Sequence, residues 1–229
     1  RESDDVLYTW AGPEIAVATT KAYSTQMAVL DLLAIYLAGQ RKTITAEDMR
    51  RLTSAIAALP AQVEQILSNR EQIQYYASQY FNHDSVFFIG RNLDYALGME
   101  GSLKLKEISY IHSEAYASGE LKHGTISLIE PGTLVVALGS YTPLFDKAMS
   151  NVIEVKARGA SVLALATESH RAEMESRVDG ILTIPVAQRA AVYQYYDGGL
   201  IQFAMPVIPA LILAGVVAAI FAFLIGLPV

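Results

Sequence analysis

The chain has 229 residues, of which 52% are hydrophobic and 17% are charged, and it contains no cysteine. This composition excludes a disordered protein, a disulfide-rich secreted module and a collagen-like fibre, and without cysteine the sequence offers no thiol nucleophile or thiolate metal ligand. Because 17 basic residues stand against 23 acidic ones, the formal charge is −6, which argues against nucleic acid as a partner.

Three helices are predicted in the first 80 residues. Apolar residues at helical spacing follow the segment AGPEIAVATTKAYSTQ, and Gly39 is the predicted C-cap of this first helix. Thr45 and Asp48 have the spacing of a capping box at the start of the second helix, and Pro60 suits the first turn of the third. The predicted helices cover about residues 27–38, 46–58 and 60–80.

From residue 85 onward, short apolar runs alternate with helical patterns. The predicted strands are 85–90, 133–139, 161–167 and 180–185, and the predicted helices are 95–112 and 143–158. Parallel strands need crossover helices of this length between them. The alternation therefore predicts an α/β fold with a doubly wound parallel sheet.

In such sheets, ligands bind beyond the carboxyl ends of the strands. That rule places three segments near a common crevice: GRN at 90–92, the segment around His123, and GSYT at 139–142. The sequence has no Gly-rich phosphate loop of the Walker or dinucleotide type, and its other histidines lack metal-ligand spacing. We therefore expect no metal and no cofactor.

The densest cluster of charged residues is EGSLKLKE. Glu100, Lys104 and Glu107 stand at i, i+4 and i+7, so all three project from one face of a helix. The ordinary interpretation is a solvated stripe of surface ion pairs. The neighbouring Gly101 and two nearby leucines weaken that interpretation, because a glycine inside a helix usually marks a close backbone approach.

Downstream, SGELKHG contains His123 in a loop flanked by glycines. A lone histidine is more often structural than catalytic, but beside a Glu/Lys/Glu face it could take part in proton transfer. Aldose–ketose isomerisation needs a group that opens the sugar ring and a carboxylate that carries a proton between C1 and C2. It also needs a cation that steadies the enediol or fixes the base, and His, Glu and Lys meet these needs without a metal.

Two long segments carry a family resemblance. They are AGPEIAVATTKAYSTQ and GRNLDYALGMEGSLKLKEISYIHSEAYASGELKHGTISLIEPGT. With the strand and helix alternation they resemble the isomerase part of the glutamine–fructose-6-phosphate aminotransferase family, over about residues 4–190. That part is built from two sugar isomerase (SIS) domains with a flavodoxin-like, three-layer αβα fold.

The resemblance implies a cytoplasmic enzyme that converts fructose 6-phosphate and glutamine into glucosamine 6-phosphate, the first step of hexosamine and UDP-GlcNAc synthesis. Glu107 would be the base that moves the proton between C1 and C2, supported by Lys104 and Glu100. His123 would open the sugar ring in the site of the neighbouring subunit, which implies a homodimer.

The same resemblance assigns the backbone around Val17, with Thr19, to the lining of the sugar pocket. It divides the chain into a remnant of a first SIS domain at 1–45, connecting helices at 46–80, a second SIS domain at 81–197 and an apolar tail at 198–229.

Three family features have no counterpart in this sequence. They are the catalytic N-terminal Cys of the glutaminase domain, the Ser/Thr-rich loop that holds the sugar phosphate, and a lysine in the C-terminal tail. We therefore expect the glutaminase domain to be missing and this chain to be inactive, or nearly so, by itself.

The tail is unlike the family. Residues 200–229 carry no charged side chain and exceed the length of about 20 apolar residues that crosses a bilayer. They resemble a piece of a bacterial branched-chain amino-acid permease, so membrane contact is expected through 200–229 alone. A buried core helix of the SIS domain is the competing interpretation, and we favour a junction with unrelated sequence over a functional anchor.

Two other classes of function stay open. One is a non-catalytic SIS module that binds a sugar phosphate, as in transcriptional regulators, although those lack the paired Glu/Lys helix. The other is a membrane protein defined by its last 30 residues.

Overall fold

The computed structural model describes residues 3–15 and 18–185. Val17 and the apolar tail predicted at 198–229 lie outside these residues. In the described part, the helices are α1 (Thr20–Gln40), α2 (Ala46–Ala57), α3 (Leu59–Ser68), α4 (Arg70–Tyr80), α5 (Leu93–Ser109), α6 (Phe145–Ala157) and α7 (Arg171–Glu175). The strands are β1 (Ser85–Gly90), β2 (His112–Ala117), β3 (Leu134–Gly139), β4 (Ser161–Thr167) and β5 (Gly180–Ile184).

The strands form a parallel sheet in the order β2-β1-β3-β4-β5. The chain runs from β1 to β2 at one edge and then crosses to β3 on the other side of β1. The direction of winding therefore reverses between β1 and β3, which is where open α/β sheets form a crevice. The predicted α/β class and doubly wound parallel sheet are confirmed.

Alternate residues of each strand enter two separate apolar cores. Val86 and Phe88 of β1 face a core completed by α3, α4 and α5, whereas Phe87 and Ile89 face a core completed by α6 and α7. Strands buried on both faces read as continuous apolar runs, which explains why β1, β3, β4 and β5 are visible in the sequence. Helices on both sides of the sheet give the predicted three-layer αβα arrangement.

Strand β2 was not predicted. Its sequence HSEAYA is polar, because β2 lies at the edge of the sheet and is only partly buried. The prediction of a helix over 95–112 is wrong at its end: α5 stops at Ser109, since Tyr110 adopts a left-handed conformation with φ 62°. The predicted third helix is also two helices, α3 and α4, which meet at Asn69.

The contact between α1 and α2 corrects the role of Gly39. This glycine does not cap α1, which continues to Gln40. A Cβ atom at Gly39 would lie 2.5 Å from Sδ of Met49, so the glycine permits close packing of α1 on α2. The capping box is confirmed, because the Thr45 hydroxyl accepts from the Asp48 amide at 3.1 Å and the Thr45 amide donates to the Asp48 carboxylate at 3.2 Å.

No helix within residues 3–15 and 18–185 is both long enough and apolar enough to span a membrane. Helix α1 does not stand apart from the α/β layers. Tyr23, Met27 and Ala28 pack against the core that α5 shares with the sheet. The start of α1 is thereby held close to α5.

Candidate active site

The centre of the site is Lys104, a lysine that is only 5% exposed. Its ammonium lies 2.5 Å from Oε2 of Glu107 and 3.7 Å from Oε1 of Glu100. It also donates a hydrogen bond of 2.5 Å to the carbonyl oxygen of Ala18. A buried cation is costly unless it is paired, and these acceptors meet that requirement. The burial of Lys104 excludes the interpretation of this face as a solvated stripe.

Helix α5 is held rigidly where it carries these side chains. Leu97 and Leu105 are buried against the sheet on the face opposite to solvent. The hydroxyls of Ser102 and Ser113 lie 2.9 Å apart, and the Ser113 hydroxyl is also 2.9 Å from the Ser102 carbonyl oxygen. These buried bonds tie α5 to β2. Gly98, whose Cβ would touch the Phe88 side chain at 3.4 Å, allows the helix to lie close to the sheet.

The turn before α1 completes the cluster. Thr19 adopts a left-handed conformation with φ 51° and ψ 38°, and the Ala18 carbonyl beside it accepts from Lys104. Thr19 itself is exposed. The structure thus brings the segment predicted to line a sugar pocket next to Glu107, although Val17 lies outside the described residues.

His123 lies apart from the Lys104 cluster. It ends the 3-10 helix Ser118–His123, its side chain is 75% exposed, and its imidazole is 3.9 Å from the Glu120 carboxylate. Leu121 of the same helix is fully buried in the core on the α6 side of the sheet, opposite to α5. Within the described residues His123 makes no hydrogen bond or ion pair with Glu100, Lys104 or Glu107. One chain therefore does not bring all four predicted residues together.

The described residues form an α/β layer in which one helix, α5, carries a buried lysine and two carboxylates. A family model described as the SIS domain matches residues 79–205, more than half of the chain. The chain belongs to the SIS domain family.

Curated relatives extend this result. Glutamine–fructose-6-phosphate aminotransferase (isomerizing) from Clostridium acetobutylicum is 50% identical over 185 residues, and the protein of the same name from Caldanaerobacter subterraneus subsp. tengcongensis is 54% identical over 185 residues. Each match covers 81% of this chain and 30% of the relative. The chain thus spans less than a third of the length of these relatives.

Among solved structures, the chain is similar to the C-terminal domain of glucosamine-fructose-6-phosphate aminotransferase from Francisella tularensis. The TM-score is 0.81 at 30% identity, and the match covers 99% of this chain and 61% of that chain. The resemblance to the isomerase part of this aminotransferase family, predicted from the sequence motifs, is confirmed.

The loops at the carboxyl edge of the SIS sheet meet, as the strand order predicts. The buried Asp94 carboxylate accepts hydrogen bonds from the amide and hydroxyl of Ser140, at 3.0 and 2.5 Å, and from the Tyr141 amide at 2.9 Å. The Arg91 guanidinium lies against Gly119. The segment 139–142 is therefore joined to the start of α5 and Arg91 contacts the segment 118–123, although the His123 imidazole stays apart from α5.

Sequence reasoning missed two neighbours of the Lys104 cluster. Ala18 contributes a backbone carbonyl, for which no residue type is diagnostic. Tyr23 is half-buried in α1, and burial together with the negative charge of Glu100 raises the pKa of its phenol. Its neutral hydroxyl therefore lies within electrostatic reach of the cluster. The only signal that could have found Tyr23 was its position in the segment AGPEIAVATTKAYSTQ.

In the described part of the SIS domain, no group of three or more His, Cys, Asp or Glu side chains could hold a metal ion. The two carboxylates and the ammonium of the cluster are groups that can transfer protons. Glu107, whose side chain is 28% exposed, can be reached from solvent, whereas Lys104 at 7% lies behind it.

Proposed function

We propose that this chain carries the ketose–aldose isomerase chemistry of a glutamine–fructose-6-phosphate aminotransferase, acting on fructose 6-phosphate and forming glucosamine 6-phosphate in the complete enzyme. The observation that carries the proposal is the buried ammonium of Lys104 at 2.5 Å from the accessible carboxylate of Glu107. A general base must be oriented and open to substrate, and this pair meets both conditions.

In this mechanism Glu107 takes a proton from C1 of the open-chain sugar and returns it to C2, so the carboxylate is regenerated. Lys104 stabilises the ionised carboxylate and fixes its orientation, and Glu100 shares the ammonium from one turn away. The backbone at Val17 and Thr19 lines the sugar pocket.

His123 opens the sugar ring in the site of a second subunit, and the enzyme acts as a homodimer. Two observations support this arrangement. The sheet separates the Ser118–His123 helix from α5 within one chain, and the His123 side chain is 75% exposed. An exposed imidazole is free to enter a neighbouring site.

The proposal includes the division of the chain into a first SIS remnant at 1–45, connecting helices at 46–80 and a second SIS domain at 81–197, with a cytoplasmic location. Helix α1 of the 1–45 remnant packs onto the core that contains α5 of the 81–197 domain. This contact supports a site to which both segments contribute.

A chimera tests the function. The 185 matching residues of the Clostridium acetobutylicum relative are replaced by those of this chain, and interconversion of fructose 6-phosphate and glucose 6-phosphate is measured. We expect activity, and we expect Glu107→Gln to lower kcat by about 10²–10⁴-fold, the usual contribution of a general base. Glu64→Gln, an exposed glutamate on α3, is the matched control.

If the Glu107→Gln chimera keeps the full rate, the assignment of the base is wrong. Sugar phosphate binding without turnover in the unsubstituted chimera would support the non-catalytic SIS module instead.

A further inference from the structure

The loop that joins β1 to α5 has no part in the chemistry above, yet its backbone is tightly constrained. A Cβ atom at Gly90 would lie 2.5 Å from the carbonyl carbon of Asp94, so this position excludes every other residue. Asn92 has φ 53° and ψ −113°, a conformation that L side chains rarely adopt. Strain of this kind persists only when the surrounding structure requires it. The residue between these two positions is Arg91.

The Arg91 side chain connects two elements on the α6 side of the sheet. Its Nε donates a hydrogen bond of 3.0 Å to Oδ1 of Asn151, a residue of α6 that is 5% exposed. Its guanidinium covers the bare Cα of Gly119, since a Cβ there would lie 3.2 Å from Nη1 and 3.5 Å from Cζ. The guanidinium plane is therefore in contact with the first turn of the Ser118–His123 helix.

Burial holds two residues of that helix, Ser118 at 1% exposure and Leu121 at 0%. A 3-10 helix has poor hydrogen-bond geometry and depends on its surroundings. Leu121 anchors the middle of the helix in the core, and Lys122 pairs with Glu154 at 3.4 Å, although the Lys122 side chain is 67% exposed. An exposed ion pair fixes a backbone weakly. Gly119 lies between the buried Ser118 and Leu121, and the Arg91 guanidinium lies against it.

We propose that Arg91 is a positioning residue: held by Asn151, its guanidinium fixes Gly119 and thereby the direction in which the Ser118–His123 helix presents His123. This inference rests on the proposed function, in which His123 opens the sugar ring. Ring opening needs the imidazole placed against two oxygens of the sugar, and an error of about 1 Å in such a placement costs on the order of 10²-fold in rate.

Hydrogen exchange on the full chain tests the structural part. We expect Arg91→Ala to accelerate exchange of the amides at 119–123 at least tenfold, while amides of β3 and β4 keep their rates. Arg91→Lys keeps the charge but loses both the planar group and the bond to Asn151, so it should behave like Arg91→Ala. Arg171→Ala, which removes a surface guanidinium paired with Glu168 and Glu175, is the control and should change nothing at 119–123.

The chimera tests the functional part. Arg91→Ala should lower kcat about tenfold and change KM less than twofold, because the base and the pocket are intact. Unchanged exchange at 119–123 together with unchanged kcat would overturn the role of Arg91. Failure of the proposed function is a different result, namely an unsubstituted chimera without isomerase activity.

Discussion

The ammonium group of Lys104 donates a hydrogen bond to the carbonyl oxygen of Ala18, 86 positions earlier in the chain, at 2.5 Å. This bond joins the turn before α1 to the middle of α5. It leaves Glu107 as the accessible member of the cluster, because Lys104 and the backbone lie behind it. The division of labour in the proposed mechanism follows from this contact, with one carboxylate facing the substrate and a buried cation holding it.

Replacing Lys104 by methionine should destabilise the fold, because it removes the contacts of the ammonium group. Lys104→Met leaves the Glu107 and Glu100 carboxylates without their cation and the Ala18 carbonyl without its donor. We expect the free energy of unfolding to fall by about 2 kcal/mol, below the loss for a fully buried pair because Glu107 is partly exposed. Urea denaturation of the chain measures this quantity.

Lys106→Met is the matched control, since Lys106 is exposed on the same helix. It should change the free energy of unfolding by less than about 0.5 kcal/mol. Equal stabilities of the two variants would show that the Lys104 contacts do not hold α1 to α5.

The parts of the fold that sequence could predict are those with local causes. Glu100, Lys104 and Glu107 share a face because helical geometry alone places i, i+4 and i+7 together. The doubly buried strands are visible as apolar runs that begin or end near glycine. Strand β2 has no such signal, because an edge strand need not be apolar.

The parts that sequence could not predict depend on distant contacts. No pattern connects Ala18 with Lys104 across 86 positions. The side of the sheet on which His123 lies follows from the crossover after β2, a strand that the sequence did not reveal. Glycine is the residue type typical of a helix C-cap, but Gly39 lies inside α1, where the absence of a side chain makes room for Met49.

A buried carboxylate in α1 gives the fold a pH dependence. Asp31 is 4% exposed, and its Oδ2 atom has no hydrogen-bond partner within the described residues. It lies one turn from Ala28 and one turn from Ile35, which belong to two different apolar clusters. Burial raises the pKa of the Asp31 carboxyl to about 7.

The sign of the effect follows from proton binding. Between about pH 4 and pH 7 the folded state keeps the Asp31 proton while the unfolded state has lost it, so this group stabilises the fold less as pH rises. We expect Asp31→Asn to remove this loss. Relative to the natural chain, the free energy of unfolding of the variant should rise by about 2–3 kcal/mol from pH 5 to pH 7 and change little above pH 7.

Urea denaturation at pH 5, 6, 7 and 8 measures the difference. Asp84→Asn, at an exposed position before β1, should follow the natural chain at every pH. A constant offset between Asp31→Asn and the natural chain across this range would mean that Asp31 is already ionised at pH 5.

The strained loop after β1 predicts stability changes of opposite sign at the two positions that flank Arg91. Asn92→Gly should raise the free energy of unfolding by about 1 kcal/mol, because glycine adopts the backbone conformation of Asn92 without strain. Gly90→Ala should lower it by about 2 kcal/mol or more, since its Cβ would collide with the backbone of Asp94.

Asn69→Gly is the control: Asn69 has an ordinary φ of −92° and its side chain donates to Gln72, so this variant should lose stability. Thermal unfolding of the three variants compares them directly, and a lower midpoint for Asn92→Gly than for the natural chain would show that the loop holds no strain at that residue.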